Sequence, residues 1–118
     1  MPITIAATSR LKSKKKIALL FESGKRLSVG PLQLRYLAVD KNEASQFGFS
    51  VPKKNHALAV HRNKIKRLLR ESLRTKEVAN INKGSLFMFI YLGTSIPDFD
   101  KLDQLMDELL IKLSNELS

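Results

Sequence analysis

A chain of 118 residues with 43% apolar side chains has the size of one small domain with a modest core, expected to span 1–118. Its formal net charge of +10 exceeds anything folding requires, because like charges repel in the compact state; a polyphosphate is the first candidate partner and an anionic membrane surface the second. The absence of cysteine excludes a disulfide frame and a thiolate metal site and suits a cytoplasmic chain, and nothing near Met1 has the basic and apolar regions of a signal peptide.

The charge is uneven along the chain. Residues 1–30 carry seven cations and one acid, and residues 52–77 carry nine and two. Residues 31–51 balance at two each, while 78–118 hold three cations against six acids. A basic face built from two separated segments is expected.

In chain order, Ser13 is placed to cap a helix over 13–23, with Ile17, Leu20 and Phe21 on one face and Gly24 to end it. A short strand is possible around Leu27 to Val29. After Gly30-Pro31, Leu34, Tyr36 and Ala38 alternate with Gln33, Arg35 and Leu37, which reads as a strand followed by a turn over Asp40 to Gln46. Phe47, Phe49 and Val51 mark one side of a second strand, closed by Pro52, and a hairpin-like pairing of these two strands is expected. From Ala59 to Glu77 there is no Gly or Pro, and Ile65, Leu68, Leu69 and Leu73 recur at helical spacing. Lys83-Gly84 makes a turn. Ser85 to Leu92, too short to cross a bilayer, reads as a central strand covered on both faces. A last helix starts near Pro97 and Asp98, with Asp98, Asp100 and Asp103 at its positive end and a stripe of Leu102, Leu105, Met106, Leu109 and Leu113. The class is α/β (α+β), in the order αβ(β)βαβα.

The second helix carries the functional signal. At about 100° per residue, Arg62, Lys66, Arg70, Asn63, Arg74 and Arg67 fill an arc of about 140° beside the apolar stripe. Five cations and one amide share it, and Glu71 can pair with Arg67 or Arg74. Arginine's planar fork fits phosphate oxygens and stacks on bases. A membrane helix would place large apolar side chains at the arc's borders, whereas the apolar residues here are needed for the core. A solvated basic face is the plainer alternative. Phe21 and Tyr36 could form a cleft floor for unpaired bases, or pack in the core.

The chain has little chemistry of its own. His56 and His61 have no third ligand, and the acidic cluster Asp98, Asp100, Asp103, Asp107 and Glu108 is explained more simply at a helix N-terminus than as a two-metal site. His61 beside Arg62 suits phosphate.

The segment Arg62-Asn63-Lys64-Ile65-Lys66-Arg67-Leu68-Leu69-Arg70-Glu71 resembles the signature R-N-x-x-K-R-x-x-R-E of the bacterial ribonuclease P protein family. Around it stand, in the expected order, a Lys-rich first helix, a strand with Tyr36, Phe49-Ser50-Val51 followed by Lys53-Lys54, and Ala59-Val60. The resemblance covers roughly residues 10–113. It implies a two-layer sandwich with a left-handed βαβ crossover, against the general rule for such connections. It implies a monomeric protein, 1:1 with a catalytic ribonuclease P RNA, that assists endonucleolytic removal of the 5′ leader from precursor tRNA, the catalytic centre lying in the RNA. Arg62, Asn63, Lys64, Lys66, Arg67, Arg70, Arg74, Lys53 and Lys54 would meet RNA, and Ile17, Phe21 and Tyr36 would line a leader cleft. Mg²⁺ would be bound mainly by the RNA, with one ion near Asn63. Ile17 stands where the family often has a second aromatic, and Asn55-His56-Ala57-Leu58 replaces the usual Gly-Asn turn. A structural or ribosomal RNA-binding protein, a DNA-binding regulator and an independent nuclease are the rival readings.

Overall fold

The computed structural model describes residues 3–4, 9–39, 45–74, 76–78 and 84–117. In chain order the elements are β1 (Ile3–Thr4), β2 (Ser9–Arg10), α1 (Lys14–Ser23), β3 (Lys25–Val29), β4 (Leu32–Ala38), β5 (Gln46–Ser50), α2 (Ala59–Arg74), β6 (Glu77–Val78), β7 (Ser85–Tyr91) and α3 (Phe99–Leu117). Most of the expected turn after β4, and Lys83, lie outside the described residues.

Among the described residues the main sheet has the order β2-β5-β7-β4-β3, and β1 pairs separately with β6. All seven residues of β7 are buried, as a central strand should be. The expected hairpin between β4 and β5 does not form, because β7 lies between them, antiparallel to β4 and parallel to β5. The β5-to-β7 connection is therefore a crossover through α2. The hairpin is instead β3 with β4, and Val29 pairs with Leu32 across Gly30-Pro31. Gly30 sits at φ 55°, the left-handed conformation a two-residue hairpin turn demands of its first residue.

Both faces of the sheet carry helices. On one, Leu32, Leu34 and Tyr36 of β4, Phe47 of β5, and Phe87, Phe89 and Tyr91 of β7 pack against Ile65, Leu69 and Leu73 of α2 and Leu102, Met106, Leu109 and Leu113 of α3. The Phe47 and Phe87 rings stack there at 4.6 Å. On the other, Leu86, Met88 and Ile90 pack with Leu11 and with Leu20 of α1. The expected α+β class and order hold, and α1 forms a cover on the face opposite α2 and α3.

Helix α1 starts where Ser13 Oγ accepts from the Lys16 N–H at 3.3 Å. Gly24 ends it, donating its N–H to Leu20 O at 2.8 Å. A Cβ at Gly24 would overlap that carbonyl oxygen and lie 2.9 Å from Leu20 Cδ1, so no larger residue fits.

Candidate nucleic-acid interface

Helix α2 is fixed on two sides. Ser72 Oγ donates to Asp103 Oδ1 of α3 at 2.7 Å. Half a turn away around the helix, the Arg70 guanidinium lies 5.7 Å from the centre of the Phe49 ring of β5. The cationic arc therefore faces away from α3 and continues toward β5 and the exposed Lys53 and Lys54 that follow it.

Asn63, Arg67, Arg70 and Arg74 are exposed on this arc, and Lys66 is half-buried. Glu71 pairs with Arg74 at 3.3 Å, one of the two partners expected for it. Stacking on Phe49 orders Arg70 and leaves its donors outward, so less side-chain freedom is lost when they meet an anion. The sequence-expected contacts Asn63, Lys66, Arg67, Arg70 and Arg74 thus share one side of α2, and Lys53 and Lys54 follow β5, the strand whose Phe49 Arg70 meets. Lys64 is exposed and lies about 60° beyond Arg67, outside the arc and about 40° from half-buried Leu68. Arg62 is half-buried, and its Nη1 donates to His56 O at 2.9 Å and Ala57 O at 2.8 Å.

On the opposite face of the sheet, Phe21 is 40% exposed at the rim of α1, with half-buried Ile17 one turn before it. Tyr36 does not join them. It is 7% exposed, pairs with Phe87 on β7 and packs in the α2/α3 core, so the sheet separates it from Phe21. Burial, with Glu116 as a second cause, raises its phenol pKa. The β4 residue beside Phe21 is Arg35, whose guanidinium lies 5.1 Å from the Phe21 ring centre and whose Nη1 donates to Phe21 O at 3.2 Å. Arg26 of β3 pairs directly across from Arg35. Two like charges side by side on a strand pair are unfavourable unless an anion lies between them. Arg35 and Arg26 were missed because neither belongs to the signature, yet alternation places both on this face.

Two further features lay outside the sequence reading. Lys76 bridges Asp103 at 2.9 Å and Asp107 at 2.7 Å. Asp103, expected only as a charge at a helix N-terminus, thereby joins the end of α2 to α3. The hydrogen bond from Lys76, then that from Ser72, holds its carboxyl below the ordinary value. Burial alone would lower the Lys76 pKa, but its bonds to Asp107 and Asp103 outweigh this and raise it. The second feature is the turn before α2, where Asn55 Nδ2 donates to Leu92 O at 2.9 Å and His56 Nε2 to Gly93 O at 2.8 Å.

A one-sided arginine-rich helix on an α+β sheet, with a second cationic face around α1, defines an RNA-binding protein of small size. The family model described as Ribonuclease P matches residues 5–114, and the chain belongs to the ribonuclease P protein family, whose members form part of an endoribonuclease complex. The chain is 29% identical over 121 residues to the ribonuclease P protein component of Porphyromonas gingivalis, covering 96% of this chain and 88% of that protein. It is 32% identical to the component from Chlorobium phaeobacteroides, over 88% of this chain and 85% of the relative. The Thermotoga maritima ribonuclease P protein superposes with a TM-score of 0.71 at 26% identity, over 88% of this chain and 96% of that one. The Staphylococcus aureus protein shares the fold, with a TM-score of 0.73 at 19% identity, over 90% and 95%. No helix among the described residues is long and apolar enough to cross a membrane.

Proposed function

We propose that α2 and Lys53-Lys54 bind the catalytic RNA of ribonuclease P, one protein to one RNA in the cytoplasm, while the α1 face holds the 5′ leader of precursor tRNA. The observation that supports this most is the exposed arc of Asn63, Arg67, Arg70 and Arg74, directed away from α3, with Arg70 against Phe49 of the strand that Lys53 and Lys54 follow. Such an arc meets phosphates in register along an RNA helix and releases counterions. On the α1 face, Phe21 with Arg35 beneath it offers a ring and a guanidinium plane to an unpaired base or its phosphate, with Ile17 beside them. The protein holds the two RNAs together and offsets their mutual repulsion, and the reacting groups come from the RNA.

Mg²⁺ fits the RNA better than this chain. Among the described residues no three His, Asp or Glu side chains gather as a metal site, and cations flank Asn63 on α2. Asn63 could at most offer its amide oxygen to an ion that RNA phosphates already hold.

The test adds the purified protein to a bacterial ribonuclease P RNA at low Mg²⁺ and follows leader release from precursor tRNA. Strong stimulation, with no cleavage by the protein alone, is expected. Tight RNA binding without stimulation would move the assignment to a structural RNA-binding protein, and cleavage by protein alone to a nuclease.

A further inference from the structure

Helix α2 begins without the usual help. Leu58, just before it, has no side-chain acceptor for the free N–H groups, and the first turn holds no acid. Arg62 stands there instead, where the helix dipole disfavours positive charge. A cationic signature at this end needs something else to hold the entering chain.

The structure supplies a clamp of three side chains. Pro52 O accepts the N–H groups of Asn55 at 3.2 Å and His56 at 3.3 Å, closing a turn. Asn55 and His56 then reach across to the carbonyls of Leu92 and Gly93, just beyond β7. His56 is 6% exposed, with its ring 6.4 Å from that of Tyr91. Arg62 reaches back from the first turn of α2 and binds the carbonyls of His56 and Ala57 through one nitrogen. The turn is thus tied to the central strand's end and to the helix it feeds.

We infer that Arg62 is a positioning residue rather than a phosphate contact: with Asn55 and His56 it fixes where Lys53 and Lys54 stand relative to the arc of α2. This refines the proposed RNA-binding role and depends on it for the binding readout only. Arg62 holds the backbone of the same turn whose Asn55 and His56 side chains reach Leu92 and Gly93, so the three act on one segment and their losses should not add.

The test compares Arg62→Ala, Asn55→Ala and the double variant with Arg70→Ala in full-length protein. RNA affinity is measured from low to moderate salt, and amide hydrogen exchange of residues 53–58 is measured without RNA. The expectation is that Arg62→Ala and Asn55→Ala each speed exchange of 53–58 by about tenfold and weaken binding by about tenfold at every salt, with the double variant little worse than either. Arg70→Ala should instead lower the salt slope by about one with exchange unchanged. A slope lowered by about one in Arg62→Ala, unchanged exchange, or fully additive losses would each overturn the clamp. If the unaltered protein does not bind ribonuclease P RNA, the proposed function fails, and the exchange comparison alone decides the clamp. Asn55→Ala removes one hydrogen bond at an exposed position, so it remains informative if Arg62→Ala fails to fold.

Discussion

Replacing Arg70 by Ala removes one outward guanidinium from the middle of the cationic arc and uncovers the Phe49 ring. Each phosphate neutralised contributes about 0.7 to 0.9 to the slope of log affinity against log salt. Over a fourfold rise in salt, from about 50 to about 200 mM, one such contact is worth a factor of about three. The variant should therefore bind ribonuclease P RNA more weakly than the unaltered protein at both salts, with the deficit about threefold smaller at the higher one. Filter binding or fluorescence titration at four or five salt concentrations measures this directly. Arg70→Met keeps an apolar stem on Phe49 and should reproduce the changed slope, which separates lost charge from lost packing. Lys112→Ala serves as a control, since Lys112 lies on α3 and donates to Ser28 O of β3 at 3.0 Å, away from the arc. A deficit of the same size at every salt would remove Arg70 from the phosphate contacts and, with it, the argument that the arc is the interface.

Phe21→Ala should weaken binding of precursor tRNA to the holoenzyme about tenfold while leaving mature tRNA almost unaffected, the loss of one stacked base; an equal loss for both would count against the α1 face. Tyr36→Ala should act through stability instead, costing about 3 kcal/mol and lowering Tm by about 10 °C, as scanning calorimetry would show. Asp103→Asn should cost about 0.5 to 1 kcal/mol at neutral pH, the worth of a partly solvated pair. Pairing lowers the folded carboxyl's pKa, so the stabilisation is complete above the unfolded value of 3.8 and disappears as pH falls through the folded one. Urea titrations from pH about 7 downward should show the deficit shrink once pH falls below 3.8; a deficit that does not change with pH would dismiss the ion pair. Gly24→Ala should cost about 2 kcal/mol or more in the same assay, because the added methyl meets the Leu20 carbonyl.

The three helices and strands β4, β5 and β7 were legible in the sequence because each carries its own period. The two-residue strands β1, β2 and β6 are too short to show one, and the helix expected to run to Glu77 ends at Arg74, with Glu77 pairing in β6. The helical spacing of Ile65, Leu69 and Leu73 and the unbroken apolar run of β7 need no partner to be recognised, and both appear in place. The pairing of strands was not legible. Neighbours in sequence, β4 and β5, look like a hairpin, but β7 is the strand with apolar side chains on both faces. Only a central position buries both Phe87 and Phe89 on one side and Leu86, Met88 and Ile90 on the other. The short strand at Leu27 to Val29 then supplies the hairpin, through the one turn where a glycine with positive φ precedes a proline.

The same alternation explains why the arc was readable and the cleft was not. The arc is one helix, so its geometry follows from 3.6 residues per turn without reference to anything else. A cleft between a helix and a sheet depends on which phase of the strand faces that helix, and a shift of one residue reverses every side chain. Tyr36 shares its phase with Leu32 and Leu34, which register with Tyr91 and Phe89, and all of them lie under α2 and α3. Arg35 shares its phase with Leu37, which packs toward α1. An aromatic was the natural choice for a base-stacking floor, but the strand's own pattern assigns it to the core. The position beside Phe21 falls to the Arg35 guanidinium, which lies over that ring and adds charge to its flat surface. A face built this way favours a strand whose phosphates are close to its bases, which single-stranded RNA provides and a duplex, with its bases stacked inside, does not.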